Sequence, residues 1–174
     1  LLLESLNKVK PDILKKWKIY LIGPYTVEFK KLLTDYQIKN KLLKEIIILT
    51  GNIEDKNLLY SYYSKSKIFV LTSRYEGFPL APIEALYYKN YLLLSNYGLA
   101  AYDITNNEYY GKVINSFDSD IWAKELEKTM TNSNIEDVVK DAPNFVKDKF
   151  NYQVNVIKLL KRIETIISKN RVHL

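Results

Sequence analysis

The sequence predicts an α/β fold, a parallel sheet with helices on both faces. Three observations carry this. Continuous short apolar runs, Ile46-Ile47-Ile48-Leu49, Ile68-Phe69-Val70-Leu71 and Tyr91-Leu92-Leu93-Leu94, read as strands buried on both faces. Segments with helical apolar spacing lie between them, which makes each crossover right-handed and the strands parallel. Gly23, Gly51, Gly77 and Gly98 each fall just after a predicted strand, and Gly111 just before one.

Each element has a local reason. Leu2, Leu3, Leu6 and Val9 have helical spacing, and Pro11 ends that segment. Residues 17–22, Trp-Lys-Ile-Tyr-Leu-Ile, read as a strand stopped by Gly23-Pro24. Thr26 caps a helix carrying Phe29, Leu32, Leu33 and Tyr36, with Asn40 as its stop. The strand at Ile46–Leu49 ends at Thr50-Gly51, and Asp55 caps a helix through about Ser64. After the strand at Ile68–Leu71, a loop from Ser73 to Phe78 leads to a helix opened by Pro79. Beyond the strand at Tyr91–Leu94, a short helix is expected near 100–105 and a strand near 112–114. Three helices follow, near 119–131, 134–149 and 152–169.

Composition narrows the function classes. The chain has 174 residues, 47% hydrophobic and 26% charged, as ordinary globular proteins do. No apolar run exceeds four residues, which excludes a membrane-spanning helix. Without cysteine there is no disulfide and no Cys-ligated zinc, and a reducing compartment is compatible. The one histidine, His173, is penultimate, so a His–Ser triad or a multi-His metal site within this chain is not expected. Net charge is +6, and residues 1–50 hold ten Lys against five acids. Only Arg74, Arg162 and Arg171 are arginines, and phosphate forks and base readout favour Arg, so no nucleic-acid partner is expected. The lysine-rich first third is expected as a solvated face lying near anionic lipid headgroups.

In an open parallel sheet of the Rossmann-like kind, the carboxyl ends of the strands line the ligand crevice. Glycine there admits positive φ or a close approach of backbone to ligand. Residues 73–86, Ser-Arg-Tyr-Glu-Gly-Phe-Pro-Leu-Ala-Pro-Ile-Glu-Ala-Leu, join a buried strand to a helix at that edge. Glu76 and Gly77 stand just outside the helix, whose free N–H groups and dipole suit a diphosphate. Glu84 shares a helical face with Leu80, Ile83 and Tyr87, taken as the inward face. A carboxylate there needs a partner, and the vicinal hydroxyls of a ribose would serve.

This segment resembles the Glu-x7-Glu signature of the retaining glycosyltransferases of family four, which adopt the GT-B fold. Residues 17–24, 46–53, 68–86, 95–98 and the Phe150-Asn151-Tyr152 step all resemble parts of that pattern. The resemblance implies that Glu76 holds a donor-sugar hydroxyl near the anomeric centre. It implies that the amides of Gly77, Phe78 and Leu80 bind the diphosphate. Pro79 stands where the family usually has glycine and lacks an amide proton. Glu84 would take the ribose hydroxyls, the backbone of Asn52 and Ile53 the base, and Gly23 a wall of the same cleft. The implied reaction moves a sugar from a UDP- or GDP-linked donor to an acceptor hydroxyl, with retention and with neither metal nor cofactor. The implied acceptor is a glycan or a lipid-linked sugar, as in polysaccharide, lipopolysaccharide or glycolipid synthesis. The setting would be the bacterial cytoplasm, peripheral to the inner face of the membrane.

The chain begins Leu1-Leu2-Leu3 rather than with Met. Against the family pattern it is expected to be a single donor-binding domain, the C-terminal half of a longer enzyme. The first strand, with the Gly-Arg…Lys segment that neutralises the diphosphate, and the N-terminal acceptor domain would lie upstream. The final helix, about 152–169, would pack back toward that domain, and the fragment alone would be inactive. The alternative is a non-catalytic nucleotide-sugar-binding module or a basic membrane-interaction module. Residues 118–120, Asp-Ser-Asp, match a metal-binding motif of another glycosyltransferase fold, but a helix cap explains them. Gly111-Lys112 lacks the upstream glycine of a phosphate loop. The paired tyrosines Tyr62-Tyr63 and Tyr109-Tyr110, with Tyr60, are read as packing residues.

Overall fold

A computed structural model describes residues 1–171, with side chains through 167. His173 lies outside the described residues. Five strands alternate with eleven helices among the described residues. The strands are β1 (Ile19–Ile22), β2 (Ile47–Gly51), β3 (Ile68–Leu71), β4 (Tyr91–Ser95) and β5 (Gly111–Ile114). All pairings are parallel, as the apolar runs and crossovers predict. The sheet is not continuous: β1 pairs with β2, and β3-β4-β5 form a separate three-stranded sheet. The helices are α1 (Leu2–Lys8), α2 (Pro11–Leu14), α3 (Val27–Lys39), α4 (Lys41–Ile46), α5 (Lys56–Lys65) and α6 (Leu80–Tyr87). After β4 come α7 (Leu99–Ile104), α8 (Ser119–Thr131), α9 (Ile135–Val138), α10 (Ala142–Phe150) and α11 (Tyr152–Arg171).

Capping sets the borders. Oxygens of Thr26, Asp55 and Asp118 accept the Phe29, Asn57 and Asp120 amides at the starts of α3, α5 and α8. Asn40 ends α3 and also caps α4 through the Leu42 amide, so Ile46 is helical and β2 starts one residue later than expected. Pro11 does not only end α1; it opens α2 at the first helical position, where its missing N–H costs nothing. The single helix expected over 134–149 is two, because Pro143 cannot donate to the carbonyl four residues back and α10 restarts at Ala142. Pro79 likewise stands at the cap position, with α6 beginning at Leu80.

Two apolar layers sandwich the three-stranded sheet, and its alternation assigns them. Ile68, Val70 and Leu93 face a core built on Leu6, Leu14, Leu43, Trp122 and Leu126. Phe69, Leu71, Leu92 and Leu94 face a second core with Leu86, Ile104, Val113 and Val139. Strand β4, paired on both edges, is fully buried at Leu92, Leu93 and Leu94, whereas β1 and β3 are only half-buried. Burial on both faces was expected for β3, and its unpaired edge is what withholds it. Gly111 is a packing glycine rather than a hinge: a Cβ there would stand 2.4 Å from the Leu92 carbonyl oxygen.

Candidate functional site

The site residues read from the sequence follow the carboxyl ends of the strands. Gly23 follows β1, Asn52 and Ile53 follow β2, Glu76 to Leu80 follow β3, and Gly98 follows β4. Two hydrogen-bonded ties hold these exits. The Gly23 amide donates to the Gly51 carbonyl at 2.9 Å, which joins the ends of β1 and β2. The buried Ser95 hydroxyl at the end of β4 donates to the carbonyls of Leu71 and Ser73, which fixes where the chain leaves β3. Gly23, Gly51 and Gly98 have φ of 132°, 75° and 114°, a region L side chains rarely adopt. Gly77 is not in that region, and nothing lies within 4 Å of where its Cβ would be. Its lack of a side chain leaves open space over the loop.

The α6 N-terminus is bare. No side chain caps it, and its first turn holds no acid. The amides of Leu80 and Ala81 are its orphan donors, while Pro82, like Pro79, has none. The neighbouring loop adds the amides of Gly77 and Phe78. Glu76 is half-buried at this mouth. Phe78 is half-exposed and packs on Phe150, 5.8 Å between ring centres, so the α10–α11 turn braces the loop. Arg74 leaves the loop sideways, its guanidinium 4.7 Å from the Phe117 ring centre.

Glu84 lies one turn into α6 and is half-buried. Its Oε2 accepts a long hydrogen bond, 3.4 Å, from the hydroxyl of buried Tyr63 on α5. Burial, then the nearby Glu84 carboxylate, push the Tyr63 phenol well above the usual tyrosine range, so it stays a donor. The inward face of α6 is Pro82, Ile83, Ala85 and Leu86. Of the face expected to point inward, Ile83 is buried and Glu84 half-buried, but Leu80 and Tyr87 are exposed, so Glu84 sits at the border between core and surface rather than on a fully inward face.

One group escaped sequence reasoning. The Tyr97 hydroxyl, in the turn after β4, is buried without a hydrogen-bond partner. Burial, with a smaller push from the Glu76 charge, holds its phenol protonated well above the ordinary range. Only the turn pattern Ser95–Gly98 hinted at it.

A cavity of about 1200 Å³ runs along β1 and β3 to Gly23, Pro24 and Tyr25, with Ala81 of α6 in its wall. Gly23 lines it, but Glu76, Gly77, Phe78, Pro79, Leu80, Glu84, Asn52 and Ile53 do not. The Asp118 carboxylate caps α8 at 2.7 Å and Asp120 pairs with Lys8 at 2.9 Å, as a capping cluster predicts. No group of acids, histidines or cysteines suited to a metal occurs among the described residues. Of the tyrosines expected to pack, Tyr63 and Tyr110 are buried, Tyr60 stacks on Tyr88 at 5.3 Å and Tyr62 meets Tyr20 edge-on at 4.9 Å, whereas Tyr109 is largely exposed.

Comparison with known proteins fits this geometry. No curated protein matches the chain. WaaG, a glycosyltransferase involved in lipopolysaccharide biosynthesis, is similar in structure (16% identity, TM-score 0.68, over 83% of this chain and 38% of that one). Anabaena HepE, solved in complex with UDP, is similar over 97% of this chain and 44% of that one (16% identity, TM-score 0.71). TarM is similar over 92% and 31% (21% identity, TM-score 0.72). The chain thus spans under half the length of each. These likenesses show the fold, that of a GT-B glycosyltransferase domain. The profile of the family Glycosyl transferases group 1 matches residues 1–147, and the chain belongs to that family.

Proposed function

We propose that this chain is the donor-binding part of a retaining glycosyltransferase of family four, one that takes a UDP- or GDP-linked sugar. The observation that carries this reading is the uncapped, acid-free N-terminus of α6 between two half-buried glutamates, Glu76 outside it and Glu84 within it. The amides of Gly77, Phe78, Leu80 and Ala81 cradle the diphosphate. As the glycosidic bond breaks, negative charge builds on that leaving group, and the helix N-terminus stabilises it without a metal. Glu84, held by Tyr63, accepts the ribose hydroxyls. The backbone of Asn52 and Ile53 contacts the base, and Gly23 closes the far wall. Glu76 holds a sugar hydroxyl near the anomeric carbon, with the Tyr97 hydroxyl as a nearby donor. UDP in the HepE structure, and UDP with GlcNAc in the pneumococcal GtfA structure, support a nucleotide-sugar donor by analogy.

The acceptor is a glycan or lipid-linked sugar held by an N-terminal domain of the whole enzyme. Its place is the bacterial cytoplasm at the inner face of the membrane, where the lysines of the first third meet anionic lipid. Transfer assayed with the full-length enzyme tests the reading. The product is expected to keep the donor's anomeric configuration by NMR, with turnover unchanged by EDTA. An inverted product, or turnover abolished by EDTA and restored by a divalent cation, contradicts it.

A further inference from the structure

Helix α5 is held chiefly at its C-terminal end. Among the described residues, Tyr63, in the last turn, is its one buried side chain. A second tie comes from Asn90, in the turn between α6 and β4. Asn90 is 1% exposed, and its Nδ2 faces three carbonyls. It donates to Tyr63 at 2.8 Å and Ser66 at 2.9 Å, both at the end of α5, and to Tyr88 at 3.3 Å at the end of α6. An amide has two protons to give, so the two short contacts to α5 take them and Tyr88 receives a weak share.

The turn that presents Asn90 is not a relaxed one. Lys89 stands at φ 64°, where a helix end usually has glycine. The Asn90 amide closes back on the Ala85 carbonyl at 3.0 Å, and the Lys89 amide on Leu86 at 2.9 Å. The Oδ1 of Asn90 is buried without a hydrogen-bond partner among the described residues. A leucine of like size would avoid that cost but could give nothing to α5. The donated protons are what explain the residue.

The clamp sets the spacing of α5 and α6 beside Glu84. Tyr63 has its carbonyl on Asn90 and its hydroxyl on Glu84 Oε2. Phe69 and Tyr88 wall its ring, with centres 6.2 and 6.1 Å away, so the hydroxyl has little room to swing. Tyr63 is the one hydrogen-bond partner of the Glu84 carboxylate among the described residues. A half-buried glutamate without a partner samples several rotamers, and ordering it on binding lowers affinity. Tyr63 takes one of the roughly four acceptor sites of the carboxylate and leaves the others for a vicinal diol.

We propose that Asn90 and Tyr63 are positioning residues for the nucleoside: Asn90 pins the end of α5 to the end of α6, and Tyr63 thereby holds Glu84 set for two ribose hydroxyls, so that ribonucleotides bind in preference to 2′-deoxynucleotides. The proposal rests on the donor-site reading of Glu84.

Calorimetry on the full-length chain tests it, with UDP, GDP and ADP set against their 2′-deoxy counterparts and affinity taken per folded molecule. Tyr63→Phe keeps the buried ring and the carbonyl that Asn90 holds. It is expected to weaken the ribonucleotide that binds about fivefold, and its 2′-deoxy counterpart less than about twofold. Asn90→Ser is expected to do the same, and neither change should weaken binding further when added to Glu84→Gln. Should Asn90→Ser fail to fold, Tyr63→Phe carries the test. Either variant without effect, where Glu84→Gln weakens binding, overturns the proposal and leaves the donor reading standing. Equal weakening of ribo- and deoxynucleotides marks a plain loosening of α5 and overturns it too. Glu84→Gln without effect removes the donor reading and the proposal together.

Discussion

Helices α6 and α8 begin in like settings and differ in chemistry. Each follows a parallel strand and a short polar loop. At α8, the Asp118 carboxylate takes the Asp120 amide, Asp120 adds an acid in the first turn, and Lys8 answers it. That N-terminus is internally satisfied, and its negative charge repels anions. At α6 there is no cap and no acid, and two prolines thin the donors. The difference separates a helix start satisfied within the chain from one whose amides are left free for the proposed diphosphate.

The largest way to break the comparison is at its structural end. Trp122 is fully buried on α8, its indole N–H donating to the Ser116 carbonyl at 2.7 Å. Trp122→Ala should cost about 3–5 kcal/mol by urea unfolding, with nucleotide affinity per folded molecule unchanged. At the functional end, Glu84→Gln keeps an acceptor for Tyr63 but loses the charge. Calorimetry should show nucleotide binding weakened by about 1–3 kcal/mol with little loss of stability. A deeply destabilised Glu84→Gln would make Glu84 a structural residue.

Smaller changes sharpen the contrast. Asp118→Ala removes the α8 cap and should lower stability by about 1 kcal/mol by urea unfolding, leaving nucleotide binding intact. Pro79→Ser does the reverse: it offers α6 a cap that takes the Ala81 amide. Stability should rise by about 0.5–1 kcal/mol while nucleotide affinity falls, because the cap competes with the diphosphate. Equal nucleotide affinity in Pro79→Ser and the parent would remove α6 from the site.

Legibility followed range. Strands β3 and β4 were readable because continuous apolar runs have few other solutions, and α3, α5 and α8 because Thr26, Asp55 and Asp118 announce them. The α4 helix was not, because Asn40 both stops one helix and starts the next, and Ile46 looks like the strand it precedes. The break between the sheets was invisible, since no local pattern records which strand lies beside β1. The Glu76–Leu80 loop was legible as a strand-to-helix junction, whereas the orientation of Glu84 was not. Helical spacing places Glu84 beside Leu80 and Tyr87 but does not say which face meets the core. The Tyr97 hydroxyl escaped because its isolation is a property of packing alone.

The most direct test is a metal-free calorimetric titration of the full-length chain with UDP, GDP and ADP, repeated on Glu84→Gln. The account predicts that one of these nucleoside diphosphates binds and that Glu84→Gln weakens it at least about fivefold. Failure of all three to bind, or equal affinity in the variant, would contradict the assignment of the α6 N-terminus and Glu84 to the donor.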